Sequence, residues 1–204
     1  MAAIIRARSK VRSLAGVVRS VRAAQASGKR VAFTNGCFDL LHRGHTRYLE
    51  QARALGDLLV VGVNSDASVR ALKGAGRPVV PEEERAEVLA GLACVDLVVI
   101  FRELDPARLI RAIRPAVLVK GGDWPVDQII GAEFVQSIGG VVRSLPYLPG
   151  TSTSELIRRV AATSSLQPSA GSPATGRGGP RPEKKQPRFS ERPGAFGRYR
   201  GSQS

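Results

Sequence analysis

Six consecutive apolar residues, Leu58-Leu59-Val60-Val61-Gly62-Val63, leave this chain few architectures. The run shows no polar alternation, so it predicts a strand buried on both faces, which belongs in a parallel sheet covered by helices above and below. The flanking pattern agrees. Val31–Thr34, Asp96–Phe101, Val117–Val119 and Val141–Leu145 predict four more strands. Helical patterns fall between them. One opens at His42 and carries Tyr48, Leu49, Ala52 and Leu55. Ala67–Leu72 follows the capping residues Asn64-Ser65-Asp66. Pro81 opens another, with Glu82, Glu83 and Glu84 at its positive end. Pro106–Ile113, Val126–Ile138 (bent at Gly131) and Ser152–Ala161 complete the set. Strands alternating with helices over short connections predict an α/β fold: a doubly wound, Rossmann-like, five-stranded parallel sheet in a single domain. Ligands of such sheets bind beyond the carboxyl ends of the strands.

The net charge of +14 resembles that of a nucleic-acid binder, but its distribution argues otherwise. Residues 1–30 hold eight Lys or Arg and no acid, residues 163–204 hold eight against two glutamates, and residues 31–162 are neutral overall. The basicity belongs to the ends. Val11, Leu14, Val17, Val18 and Val21 recur with a helical period, so Val11–Ala26 predicts a helix, ended by Gly28 and packed on the domain or on a partner chain. From Thr163 the chain is Ser, Pro, Gly, Arg and Gln with almost no aliphatics, a composition that predicts disorder. The expected organisation is a basic N-terminal helix at 1–30, a domain at 31–162 and a disordered tail at 163–204. Phe189, Phe196 and Tyr199 among the tail arginines are suited to stacking on single-stranded bases, so weak polyanion binding stands beside a merely solubilising role. Two cysteines make no disulfide framework, no run reaches the length of a membrane span and no secretory signal is evident; cytoplasmic residence without membrane association is expected.

Both histidines of the chain lie at the mouth of the helix after the first strand, in His42-Arg43-Gly44-His45. A strand feeding a helix N-terminus offers free backbone N–H groups and a positive dipole end to phosphate, and a spacing of three keeps both imidazoles on one side. Three readings stand: chemistry on the phosphates of a nucleotide, an inert pair, or a Cys37/His42/His45 metal site, whose spacing matches none of the common zinc patterns. Further polar clusters follow the other strands, at Ser65–Lys73, Lys120–Trp124 and Gly150–Ser154. Neither GxGxxG after strand one nor GxxxxGK[ST] occurs, which argues against a dinucleotide oxidoreductase and a P-loop enzyme.

Thr34-Asn35-Gly36-Cys37-Phe38-Asp39-Leu40-Leu41-His42-Arg43-Gly44-His45 resembles the signature of the HxGH nucleotidyltransferases, in the wording of the heptose 1-phosphate adenylyltransferases. Val119-Lys120-Gly121-Gly122-Asp123-Trp124 resembles their VKGGD motif, and Gly150-Thr151-Ser152-Thr153-Ser154 the family's ISTT motif. The resemblance covers roughly residues 25–162. It implies attack by a sugar-phosphate oxygen on the α-phosphorus of ATP, release of pyrophosphate and no covalent intermediate. It gives His42, His45 and Lys73 catalytic roles, the first two as donors to the triphosphate. It places Asn35, Gly36, Cys37, Phe38, Lys120, Gly121, Asp123, Gly150, Thr151, Ser152, Thr153 and Ser154 around the nucleotide, and Asp39, Lys73 and Arg77 on the acceptor side. Asp39 reads better as an organiser of the turn than as a base; for Arg85 a role in the site and simple pairing with the preceding glutamates stand side by side. No protein metal site is implied; magnesium is expected on the triphosphate, through phosphate oxygens and water. ATP and a sugar 1-phosphate are the expected substrates, and the resemblance implies a homodimer. The alternatives are a cytidylyltransferase acting on glycerol 3-phosphate or another phosphorylated alcohol, and a non-catalytic nucleic-acid-binding protein held by its basic ends. The sequence departs from the family at Glu155, where a basic residue is usual, and has Tyr147 where glycerol-phosphate enzymes carry an arginine.

Overall fold

The computed structural model describes residues 7–146, 150 and 152–164. The expected strands form: β1 (Val31–Gly36), β2 (Leu58–Asn64), β3 (Leu97–Phe101), β4 (Val117–Gly121) and β5 (Val141–Leu145). They build one parallel sheet in the order β3-β2-β1-β4-β5. The helices are α1 (Leu14–Ala26), α2 (Arg43–Ala54), α3 (Asp66–Lys73), α4 (Glu82–Ala90), α5 (Ala107–Ile113), α6 (Ala132–Ser137) and α7 (Thr153–Ser164). The predicted doubly wound architecture is borne out.

Alternate residues of each strand enter different cores, as burial on both faces requires. Val31 and Phe33 of β1, Val60 of β2 and Leu118 of β4 pack with α1, α5 and α6. Ala32, Leu59, Val61, Val63 and Val119 pack with Leu49 and Ala52 of α2 and Ala86 and Leu89 of α4. From β1 the chain winds outward to β2 and β3, then crosses to β4 and β5 on the other side. The winding reverses between β1 and β4, and there the diverging connections leave a crevice beyond the carboxyl ends.

Several boundaries differ from expectation. The predicted helix at Val126–Ile138 is a short 3-10 turn, Val126–Gln128, then a break and α6. Gly131 explains the break: its φ is +89°, and a Cβ there would lie 2.6 Å from Ile110 Cδ1. The first helix begins at Leu14 rather than Val11. Val11 makes a parallel bridge to Val98 of the edge strand β3, and Ser13 accepts from the Gly16 amide as N-cap. Val17 and Val21 are fully buried, so α1 packs on the domain, one of the two expected placements. Asn35 and Gly36, beyond the expected end of the strand at Thr34, continue β1, and Pro81 stands just before α4 rather than within it. Residue 163, the expected start of the tail, falls within α7; the tail beyond residue 164 lies outside the described residues.

Candidate active site

The parallel sheet brings the polar clusters after β1, β2 and β4 to one rim. At the crevice between β1 and β4 stands the start of α2. His42 is its N-cap, and His42 Nδ1 accepts from the Gly44 amide at 3.2 Å. The His45 amide donates to the His42 carbonyl at 2.8 Å. The expected row of free amides is therefore partly spent on capping by His42 itself. This geometry fixes the neutral tautomer of His42: with Nδ1 accepting, the proton sits on Nε2 and is available to a ligand.

The two imidazoles lie together, with ring centroids 4.0 Å apart and planes 30° from parallel, and Phe38 tilts against His45 at 5.5 Å. Phe38 is buried and held at φ 46°, a left-handed conformation uncommon for a bulky residue. Burial pushes the His42 imidazolium down, and burial together with neighbouring His42 lowers His45 to about 4. Both rings are thus neutral donors at physiological pH. His45 Nδ1 is buried with no hydrogen-bond partner among the described residues.

The low value of His45 carries a stability signature. Unfolded, the ring binds a proton near its ordinary 6.5; folded, it resists to about 4. The contribution is complete above pH 6.5 and is lost as pH falls toward 4, because the unfolded state gains the proton first. Urea unfolding across pH 4–7 is expected to show a wild-type stability that drops relative to His45→Gln as the solution is acidified. Parallel curves for the two proteins would contradict the neutral, buried ring.

Asp39 is locked in place. Its carboxylate accepts from the Val79 and Val80 amides, both at 2.9 Å, and from Arg77 Nε at 2.6 Å. Burial pushes its carboxyl up, but these hydrogen bonds outweigh it and hold the group below its usual range. The side chain is 1% exposed. Asp39 and Arg77, expected on the acceptor side, are thus committed to one another, and they pin the loop 74–80 against the turn after β1.

Lys73 is exposed at the end of α3, and Lys120 is half-buried at the end of β4. Each lies within electrostatic reach of Cys37. Burial pushes the Lys120 ammonium down, while Cys37 raises it and Lys73 lowers it further. Burial raises the Cys37 thiol despite nearby Lys73, Arg85 and Arg77, so it stays a neutral thiol. Gly121 closes β4. After Gly122, whose φ is 103°, Asp123 and Trp124 stand exposed, so Trp124 is not a core residue.

The fourth cluster reaches the same place. Thr153 Oγ1 donates to the Leu40 carbonyl at 3.3 Å, docking the start of α7 on the loop before His42. Ser152 Oγ accepts from the Glu155 amide, an N-cap bond, and Ser154 is exposed. Glu155 pairs with Arg158 one turn on, which offsets the charge reversal noted in the sequence. Gly150 is exposed at φ 71°; Thr151 and Tyr147 lie outside the described residues.

Two features escaped the sequence reading. Arg85 does not pair with the glutamates beside it. It is 1% exposed and passes beneath the site, donating to the carbonyls of Cys37, Asn64 and Val80 and to Asp66. Tyr48 bonds Thr34 and Val119 under the floor of the crevice.

Paired neutral imidazoles, two lysines and helix starts at the carboxyl-end rim of a doubly wound sheet have the chemistry that nucleotide phosphates require. The chain belongs to the cytidylyltransferase-like family, whose model matches residues 33–159. Curated relatives are named bifunctional protein HldE. That of Geobacter sulfurreducens is 53% identical over 152 residues, covering 74% of this chain and 31% of its own length. That of Pseudomonas paraeruginosa is 51% identical over 150 residues, covering 74% and 32%. The chain thus spans about a third of the length of the curated relatives it matches. A solved structure, the lipopolysaccharide core biosynthesis protein from Thermoplasma volcanium GSS1, is 28% identical with a TM-score of 0.49, covering 59% of this chain and 98% of that one. The family resemblance drawn from Thr34–His45 and Val119–Trp124 is borne out.

Proposed function

We propose that this chain is an adenylyltransferase that moves AMP from the magnesium complex of ATP to a heptose 1-phosphate, releasing pyrophosphate and giving ADP-heptose. The carrying observation is the close, neutral pair His42 and His45 at the start of α2, which follows β1, with Lys120 on the neighbouring strand β4. The choice of sugar rests on the wording of the two motifs and on about 50% identity to proteins named as bifunctional, of which this chain matches one part.

In this reading an oxygen of the sugar phosphate attacks the α-phosphorus in line, and the bond from that phosphorus to the bridging oxygen of pyrophosphate breaks. The nucleophile is already ionised, so no general base is needed. Catalysis comes from alignment and from offsetting charge on the five-coordinate phosphorus. His42 Nε2–H and the His45 ring donate to the triphosphate. Lys73, exposed and mobile in its side chain, follows the charge as it shifts. Asn35 to Phe38, Lys120, Gly121, Asp123 and the residues 150–154 surround the nucleotide. Magnesium arrives on the phosphates; among the described residues no cluster of three His, Cys, Asp or Glu side chains is built to hold it. Asp39 and Arg77 serve the acceptor side by fixing the loop that follows Lys73. No helix among the described residues is long and apolar enough to cross a membrane, and we assign the reaction to the cytoplasm. The homodimer and the tail's weak affinity for polyanions belong to the same proposal.

Incubation with ATP or CTP and a panel of sugar 1-phosphates and glycerol 3-phosphate, read by pyrophosphate release, is the test. Turnover with ATP and a heptose 1-phosphate is expected, and it is expected to survive removal of residues 165–204. Turnover with CTP alone would move the chain to the cytidylyltransferases. No turnover, with salt-sensitive nucleic-acid binding lost on truncation, would make it a binding protein.

A further inference from the structure

Beneath the crevice, three elements meet at a pair of hydroxyl groups. Thr34, on β1, is fully buried, and its Oγ1 lies 2.5 Å from Tyr48 Oη. Tyr48, on α2, donates its hydroxyl proton to the Val119 carbonyl of β4 at 3.3 Å. With that proton spent on Val119, Thr34 is the donor to Tyr48, and the chain of bonds runs Thr34 to Tyr48 to Val119. Each member adjoins a part of the site. Thr34 precedes Asn35 to Phe38. Val119 precedes Lys120. Tyr48 lies three residues past His45, on the same side of α2. The tyrosine ring also packs against the core that contains Leu49, Val61 and Val119, so its hydroxyl cannot drift without moving the helix.

We infer that Tyr48 is a positioning residue for the transfer reaction: its hydroxyl sets the distance between the histidines of α2 and Lys120 of β4. The inference rests on the nucleotidyltransfer reading for its consequence, though not for its geometry. In-line transfer requires the group that steadies the leaving phosphates and the group across the crevice to hold fixed separation while the phosphorus changes partners. Apolar packing alone sets this loosely, because side chains slide across one another at little cost. A half-buried tyrosine hydroxyl held between a buried threonine and a strand carbonyl is directional, and a shift of α2 stretches both bonds and takes the donor Thr34 from its partner. A displacement of about 1 Å in such a constellation lowers turnover by up to about a hundredfold.

The test compares Tyr48→Phe, Thr34→Val and Thr34→Ser in the full chain. Tyr48→Phe deletes one oxygen and Thr34→Val keeps the volume, whereas Thr34→Ser keeps the hydroxyl. Tyr48→Phe and Thr34→Val are expected to lower kcat by about tenfold or more with KM for ATP changed less than about threefold. The double variant is expected to be no worse than either single one, and Thr34→Ser to retain wild-type kcat. The chain has two histidines only, so ring-¹⁵N-histidine spectra read both imidazoles directly. The His45 resonances are expected to move in Tyr48→Phe and Thr34→Val and to stay in Thr34→Ser. Unmoved His45 resonances overturn the inference, with or without a loss of kcat. So does a loss of turnover that merely tracks the folded fraction. If the wild-type protein turns over none of the nucleotides, the proposed function falls, and the spectra alone decide the positioning role. Should Tyr48→Phe fail to fold, Thr34→Val carries the same expectations.

Discussion

Arg85→Ala is expected to destabilise the fold by about 3–5 kcal/mol, the range for removing one partner from a buried charge network. The side chain is 0% exposed and holds four acceptors at once. Nε donates to the Val80 carbonyl at 2.9 Å, Nη1 to the Cys37 carbonyl, and Nη2 to the Asn64 carbonyl at 2.8 Å and to Asp66 Oδ1 at 2.7 Å. Alanine would leave three carbonyls and a partly buried carboxylate without that donor, at a place too enclosed for free solvation. The damage would reach the site, because Cys37 lies in the connection after β1, Asn64 ends β2, and Val80 lies in the loop that Asp39 pins. Arg85→Lys is expected to recover only part of the loss: one ammonium cannot reproduce a planar fork that reaches in three directions. Arg108→Ala is the control. Arg108 pairs with Glu103 at 3.0 Å, but 77% and 40% of the two side chains are exposed, and such pairs contribute about 0–1 kcal/mol. Urea unfolding of the three variants decides. Equal, small losses for Arg85→Ala and Arg108→Ala would mean that the guanidinium is not the tie described.

The contrast between these two arginines shows where residue type misleads and position does not. Glu82-Glu83-Glu84-Arg85 looks like a charged, solvated face. The buried residues of α4 are Arg85, Ala86, Leu89 and Ala90, a stripe with the helical period, and Arg85 stands at its head. Helical spacing from Ala86 and Leu89 placed Arg85 inward; its charge concealed this. The strands were legible because burial on both faces demands uninterrupted apolar runs, and only such runs produce Leu58–Val63. The histidine pair was legible because a strand–turn–helix junction leaves little freedom for residues three apart. Capping by His42 was not, since it depends on which ring nitrogen turns toward Gly44. At Gly131 the glycine announced a bend, but not the full break between the 3-10 turn and α6. The obstacle there is Ile110 on another helix, 2.6 Å from where a Cβ would lie, and no local pattern contains it. The Asp39–Arg77 contact spans 38 residues, and the composition of neither segment announces it.

His42→Asn is expected to lower kcat by about a hundred- to a thousandfold while leaving folding stability close to that of the wild type. The magnitude is that of removing one preorganised donor from a charge-accumulating transition state, about 3–4 kcal/mol in the barrier. Asparagine is chosen because His42 does two things. Its Nδ1 caps α2 by accepting from Gly44, and its Nε2–H is the donor proposed for the triphosphate. Alanine would remove both, mixing a cap loss of about 1 kcal/mol with the catalytic one. Asparagine keeps an acceptor oxygen for the cap but is too short to place a donor where Nε2 stands. His45→Gln removes the other ring, and it also relieves the burial that holds that imidazole neutral. The two losses are not expected to add, because rings with centroids 4.0 Å apart are in contact, and misplacing either disturbs the other. Steady-state pyrophosphate release for the single and double variants, set against urea midpoints for each, separates the cap from the chemistry. A His42→Asn protein that is stable and fully active would remove the imidazole pair from the reaction, and with it the reason for reading the β1–β4 crevice as the place where the phosphorus changes partners.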